Sequence, residues 1–238
     1  WGIEGVRAGL PVLAKLQPAL RKGKWQISVA LYQAANTHEF EILDVWPGLH
    51  EGGLYGLAID LGSTTIAAHL CDLTDGRVLA SSGIMNPQIR FGEDLMSRVS
   101  YAMMNPGGDK EMTRAVREAI NALAVEIAAE AEIDPALIFE TVFVCNPVMH
   151  HLLLGIDPVE LGQAPFALAT SDSITLPSSA LDLGALNPQA QVYLLPCIAG
   201  HVGADAAAVA LAEEPEKSED LVLIVDVGTN AEILLGNK

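Results

Sequence analysis

Apolar and polar positions along this chain follow two periods, of two and of about 3.6 residues, and the changes between them lay out the elements. Two stretches stand out. Leu57-Ala58-Ile59-Asp60-Leu61-Gly62-Ser63-Thr64-Thr65-Ile66-Ala67 reads as an apolar strand, a tight glycine-containing turn and a second strand. Leu223-Ile224-Val225-Asp226-Val227-Gly228-Thr229-Asn230-Ala231-Glu232-Ile233 repeats that pattern near the C-terminus. Each places an Asp at the end of a buried strand, a Gly two positions on, and a hydroxyl residue after it. One such turn is common in hairpins. Two copies far apart, each following an apolar run, are hard to explain as turns alone.

Around them the pattern predicts a helix over 11–22, with Val12, Leu13, Leu16, Ala19 and Leu20 as its apolar stripe. Pro18 strains that helix and Gly23 stops it. Trp25, Ile27, Val29 and Leu31 alternate with Gln26, Ser28 and Ala30, which predicts a half-buried strand. Another strand is expected over 39–46, after a turn at Asn36-Thr37-His38, and then a Pro/Gly linker over 47–53. Strands follow over 55–60, 64–72 and 77–84, the last two joined by a turn ending in Asp75-Gly76. A loop over 85–94 runs into a helix over 94–103. Asp109 then caps a long helix to about residue 132, with Met112, Val116, Ile120, Leu123, Ala124 and Ile127 at helical spacing. Residues 141–145 form an apolar run of strand length. Asn146-Pro147 reads as an N-cap followed by Pro at the first helical position, and Gly155 ends that helix. Residues 156–190 show little periodicity and read as one long loop. A strand over 191–195, a turn over 196–203, an Ala-rich helix over 204–214 and a charged hinge over 213–220 lead to the second motif.

This order predicts an α/β fold, an RNase H-like mixed sheet with flanking helices, started a second time as an ancestral duplication would leave it. Residues 1–50 read as a small α+β remnant, the tail of a preceding small middle domain, too short for a good core of its own. Residues 51–220 read as a first RNase H-like lobe and 221–238 as the start of a second. Trp1 in place of Met, and Lys238 just past a strand, make both ends look cut from something longer.

The chain has 238 residues, half of them apolar, enough for one large or two modest domains. A formal charge of −17 with no long basic run argues against a nucleic-acid partner. It leaves ATP open, because a local loop and Mg²⁺ carry that interaction. Cys71, Cys145 and Cys197 are far apart and form no C-x-x-C pattern. They fit free thiols in a reducing, cytoplasmic setting, and no zinc or iron–sulfur site is evident within the chain. No apolar run reaches the roughly 20 residues of a bilayer span, and no signal peptide opens the chain.

The two turns suit a nucleotide phosphate. Gly62 and Gly228 let backbone N–H groups approach closely. Ser63, Thr64, Thr65, Thr229 and Asn230 add phosphate-facing backbone and side-chain groups. Asp60 and Asp226 cannot pair with a bare phosphate, so they would hold Mg²⁺ or its waters. Glu232, by alternation on the strand after the second turn, either orients water for hydrolysis or faces solvent. Asn86, Gln88, Glu93, Asp94 and Arg98 read either as substrate-side groups or as a solvated loop and helix start. His150 and His151 are helical neighbours pointing about 100° apart, which suits core or interface positions better than chelation. His201 and Asp205 flank Gly203 at a helix start, where capping is the expected role.

On these residues the chain resembles a known family. The pair Asp60-Leu61-Gly62-Ser63-Thr64-Thr65 and Asp226-Val227-Gly228-Thr229-Asn230 is similar to the two phosphate motifs of the ASKHA ATPases, the superfamily of sugar kinases, heat-shock chaperones and actin. Three stretches resemble more specifically the ATPase domain of the reductive activators of corrinoid proteins. They are Asn86-Pro87-Gln88-Ile89-Arg90-Phe91-Gly92-Glu93-Asp94 with its continuation to Tyr101, Asn146-Pro147-Val148-Met149-His150-His151 with its continuation to Gly155, and Leu195-Pro196-Cys197-Ile198-Ala199-Gly200-His201-Val202-Gly203-Ala204-Asp205. The likeness covers essentially the whole chain. It implies an actin-like ATPase using ATP and Mg²⁺, with Asp60, Asp226 and Glu232 in the chemistry. Its activity would be ATP-driven reduction of a corrinoid protein from Co(II) to Co(I) in a methyltransferase system. The resemblance also implies a [2Fe–2S] domain in the parent protein but not in this chain, an electron-donor protein, and a homodimer. One departure is Cys145-Asn146-Pro147-Val148, where the family carries Gly-Asn-Thr-Thr, so that loop lacks the hydroxyls. Two other functions fit the motifs: a small-molecule kinase of the same superfamily, and a non-hydrolysing nucleotide-sensing or docking module.

Overall fold

In the computed structural model, which describes residues 5–33, 38–228 and 231–238, a small sheet comes first. β1 (Val6–Ala8), α1 (Leu10–Lys22), β2 (Ile27–Gln33) and β3 (Phe40–Pro47) build it in the strand order β1-β3-β2. Val12, Ala19 and Val45 are its own core, between helix and sheet. A second cluster, Ala30 and Leu43, packs on Phe139 of the unit that follows. The burial of β2 therefore differs from the alternation expected of it. Trp25 lies outside the strand, and Trp25, Val29 and Leu31 are exposed while Ala30 is buried. Val29 stands opposite Val45 on the α1 side, but β2 is the sheet edge and the helix leaves it open. The side bearing small Ala30 meets Phe139 and is closed. The expected turn at Asn36 and Thr37 lies outside the described residues.

The main sheet follows. β4 (Tyr55–Leu61), β5 (Thr65–Asp72), β6 (Val78–Met85), β7 (Ile138–Cys145), β8 (Ile174–Pro177) and β9 (Gln191–Leu194) are ordered β6-β5-β4-β7-β9-β8. β6, β5 and β4 form an antiparallel meander, β4, β7 and β9 run parallel, and β8 returns antiparallel at the edge. Helices α2 (Leu95–Met104), α3 (Gly108–Glu130), α4 (Pro147–Leu154) and α5 (Ala204–Glu213) flank this RNase H-like mixed sheet. β4 shows how an apolar strand can present a carboxylate. Leu57, Ile59 and Leu61 are buried, whereas Ala58 and Asp60 are exposed. One face packs with Val116 and Ile120 of α3 and Met149 and Leu152 of α4 in a single core. The other is open where Asp60 stands.

Two local expectations change. Residues 156–190 are not one loop: they hold β8 and 3-10 turns at Val159–Gly162 and Ser178–Leu181. β8 offers only Ile174 and Leu176 as apolar positions and ends on Pro177, which an edge strand tolerates because no partner needs its missing N–H. α3 begins at Gly108 behind a left-handed Gly107, with Asp109 in its first turn rather than at its cap.

His150 and His151 are both core residues. His151 Nδ1–H donates to the Pro147 carbonyl at 2.8 Å and its Nε2 accepts from Ala169 N at 3.0 Å, so that ring is neutral. Neither ring nitrogen of His150 has a hydrogen-bond partner among the described residues. Burial, then the neighbouring His151, pushes the His150 pKa down to about 4. The unfolded ring titrates near 6.5, so as pH falls the unfolded chain takes up its proton first. The stability is present above the unfolded value and is lost as pH falls toward the folded one. Between pH ~7.5 and ~5 the expected loss is about 2 kcal/mol, and His150→Leu should remove that slope. Denaturant unfolding at the two pH values checks this, and an unchanged slope in the variant contradicts it.

Candidate functional site

The cleft lies at the C-terminal ends of β4 and β7, the end of an open α/β sheet where ligands bind. Its far wall is a separate antiparallel ribbon, β10 (Val222–Val227) and β11 (Ala231–Gly236). The cleft has a volume of about 520 Å³. Asp60, Gly62, Ser63, Thr64 and Thr65 line it from the first motif, and Asp226, Gly228 and Glu232 from the second. Thr229 and Asn230 lie outside the described residues. Asn146, Leu95 and Asp205 complete the lining.

The first turn needs its glycine. A Cβ on Gly62 would lie 2.7 Å from the Thr65 carbonyl oxygen, closer than any side chain sits. In the ribbon, Asp226 stands directly opposite Glu232, which puts two carboxylates on its cleft-facing side. Val225, Val227, Ile233 and Leu235 are exposed on the other side.

Asp205, expected as a capping residue, lines the cleft instead. Gly203 is the N-cap of α5, and the Asp205 carboxylate opens into the cleft while accepting from Ala206 N at 2.9 Å. The available signal was Gly203-Ala204-Asp205 opening the helix that follows β9. The group of Asn86, Gln88 and Arg98 is neither substrate-side nor solvated: all three are fully buried. Glu93 is exposed, and Asp94 caps α2 by accepting from Ser97 N at 2.7 Å. Asn146 caps α4 as expected, accepting from Met149 N at 3.0 Å.

The electrostatics of the cleft are one-sided. The Asp60 carboxyl is open to water on the cleft side but hemmed by protein elsewhere. That desolvation, then the charges of Asp205 and Asp226, raises its pKa. Burial raises Asp205 as well, with Asp226 adding to it and backbone N–H bonds opposing. Burial, then Asp205 and Asp226, raises Glu232. Among the described residues no Lys or Arg lines the cleft. Carboxylates crowded in this way suit a hard cation with oxygen ligands. Among the described residues no set of three His, Cys, Asp or Glu side chains is close enough to hold a metal alone. Mg²⁺ takes one or two carboxylates and completes its shell with water and substrate phosphate. A smaller side compartment of about 380 Å³ adjoins the cleft at Leu95; Asp94, the substrate-side candidate that caps α2, lines it with Leu95, Met96, Pro147, Val148, Gly200 and His201.

Comparison with known proteins agrees with this architecture. Residues 55–218 match the model of the RACo middle region, and residues 1–52 that of the RACo linker region. The chain is similar to the corrinoid activation enzyme RamQ of Eubacterium limosum, with 36% identity over 187 residues, 79% of this chain and 31% of that protein. It is also similar to the solved structure of a reductive activator for corrinoid, iron-sulfur protein. The TM-score is 0.89 at 31% identity, covering 98% of this chain and 36% of that one. The chain thus spans about a third of the length of each relative. No helix among the described residues is long and apolar enough to cross a membrane. With the middle-region model matching well over half of its residues, the chain belongs to the RACo family of corrinoid reductive activators.

Proposed function

We propose that this chain carries the phosphate-binding part of an ATP-driven activator that reduces a corrinoid protein from Co(II) to Co(I) in a methyltransferase system. One observation carries the reading: two Asp-x-Gly turns from opposite ends of the sequence face each other across one carboxylate-lined cleft. The names of the two relatives support the corrinoid part.

Roles follow from position. The turn after β4 offers the N–H groups and hydroxyls of Ser63, Thr64 and Thr65 to the terminal phosphates, and Gly228 faces them from the other wall. Asp60 and Asp226 would hold Mg²⁺ through its waters; bound there, the ion neutralises phosphate charge. Asp205 and Glu232, made more basic by burial and by each other's neighbours, orient the attacking water and accept its proton at a carboxylate oxygen. Phosphate loss changes what the two walls share, so the cleft opens and closes with nucleotide state, and that movement biases docking of the corrinoid protein.

In this reading residues 1–50 are the tail of a preceding domain, 51–220 the first lobe, and 221–238 the start of the second. The exposed apolar side of the β10–β11 ribbon fits such a start. The [2Fe–2S] cluster, the electron-donor protein and the homodimer belong to the longer parent; Cys71, Cys145 and Cys197 of this chain are free thiols. The side compartment at Leu95 and Met96 favours a second reading, a small-molecule kinase, because it could seat an acceptor next to the phosphates. Full-length protein and Mg-ATP labelled at the γ-phosphate distinguish the two. The label is expected as inorganic phosphate, released faster when a Co(II) corrinoid protein is present. Label on a small molecule would move the reading to the kinase, and bound nucleotide without turnover to a sensing module.

A further inference from the structure

Arg98 is the largest fully buried side chain of the described residues. A buried guanidinium normally has a carboxylate beside it. Arg98 makes no ion pair among the described residues; Asp94 acts on it only through its charge. Its donors go to neutral groups instead. Nε donates to the Gly92 carbonyl at 3.0 Å, Nη1 to Gln88 Oε1 at 3.3 Å, and Nη2 to the Ser63 carbonyl. Burial lowers its pKa to about 10, against the pull of Asp94, so it stays charged at neutral pH. Packing alone does not call for this charge, since an apolar side chain of similar volume would fill the space without desolvating an ion.

The turn shows what the charge is for. The Gly62 carbonyl accepts from Asn86 Nδ2 at 2.8 Å, the Ser63 carbonyl from Arg98, and the Thr64 carbonyl from Asn86 N at 2.8 Å. Three successive carbonyls are thus held on the buried side. In a trans peptide the N–H points opposite to the C=O. The Thr64 N–H is therefore aimed away from Arg98, and the N–H groups of Ser63 and Thr65 away from Asn86, in a turn whose residues line the cleft. Gln88 locks the assembly: its N–H donates to Asn86 Oδ1 at 2.9 Å and its Nε2 to the Met112 carbonyl of α3 at 3.0 Å. A phosphate entering the cleft meets carboxylates and no lining cation. Arg98 offers a fixed positive charge from behind the turn, through protein where water screens it little.

We infer that Arg98 is a positioning residue for the phosphate turn, holding it through the Ser63 carbonyl while Asn86 holds Gly62 and Thr64, and biasing the site toward the terminal phosphates of a nucleotide. The inference rests on the nucleotide reading of the cleft. Calorimetry on the full-length protein, comparing wild type with Arg98→Met and Arg98→Lys for Mg-ATP and for adenosine, tests it. Mg-ATP affinity should fall roughly ten- to a hundredfold in Arg98→Met while adenosine affinity holds. Arg98→Lys should recover part of the loss, since an ammonium keeps the charge but cannot reach Ser63, Gly92 and Gln88 together. A merely structural role would weaken both ligands alike, and an unchanged ratio of the two affinities in the variants overturns the inference. Should Arg98→Met not fold, Arg98→Lys decides, together with amide exchange on wild type. Exchange at Ser63, Thr64 and Thr65 should slow with Mg-ATP and not with adenosine, and equal protection by both would count against the proposed turn. A wild-type protein that binds no Mg-ATP overturns the nucleotide reading itself.

Discussion

Asp60→Ala is expected to lower ATP turnover by roughly a thousandfold while leaving the fold intact. The two halves of that statement have separate physical causes. Asp60 sits on the open side of β4, so its carboxylate contributes nothing to the core formed by Leu57, Ile59 and Leu61. Its pKa is raised by desolvation first and by repulsion from Asp205 and Asp226 next, so the folded protein holds the charged form at a cost. Removing it relieves that repulsion above the ordinary carboxylate range, where the strain is present, so the melting temperature without nucleotide should stay level or rise. On the proposed reading the loss of turnover arises because the remaining carboxylates would not replace Asp60 in holding Mg²⁺ between the two turns. Phosphate release and thermal melting, measured on the same preparation, check both halves. Turnover within tenfold of wild type contradicts the assignment.

Gly203→Ala is expected to be nearly as damaging by another route. A Cβ at this position would lie 2.5 Å from the Cys145 carbonyl oxygen, 2.6 Å from Asn146 Cα and 2.7 Å from Asp205 Oδ1. Two of those neighbours are backbone and cannot step aside. α5 begins at the next residue, so it must move off the end of β7 and take Asp205 with it. A displacement of about 1 Å at a catalytic group can lower the rate about a hundredfold. The overpacking should also remove about 1–3 kcal/mol of stability. Gly184→Ala is the control, because a Cβ there meets nothing within 4 Å. Paired kinetic and melting measurements decide the matter. Full turnover in Gly203→Ala would mean that α5 can shift without disturbing the chemistry, and Asp205 would lose its assigned place.

Much of the site was legible because its residues are local. Asp60 and Gly62 belong to one turn, as do Asp226 and Gly228, and the chemistry of each turn is written in adjacent positions. A mixed sheet with flanking helices followed from three strands in succession and then strands alternating with helices. What was not legible depends on partners distant in sequence. Asp205 looks like an ordinary residue of a helix start until Asp60 and Asp226 are seen beside it. Arg98 and Asn86 are polar, and polarity argues for exposure; the carbonyls of Gly62, Ser63, Thr64 and Gly92, with Gln88, explain their burial. The burial of β2 was misread because alternation marks two faces but not which one a neighbour such as Phe139 will close. β8 was missed because two apolar residues before a proline are too short a signal for a strand.

The central claim is that nucleotide in this cleft drives electrons onto a corrinoid. The most direct test mixes the full-length protein with a reductant and a Co(II) corrinoid protein and follows the Co(I) absorption band with and without Mg-ATP, using wild type and Asp60→Ala. The account predicts Co(I) that forms with Mg-ATP, forms far less without it, and is lost in Asp60→Ala. Co(I) forming equally well without nucleotide, or undiminished in Asp60→Ala, would contradict it.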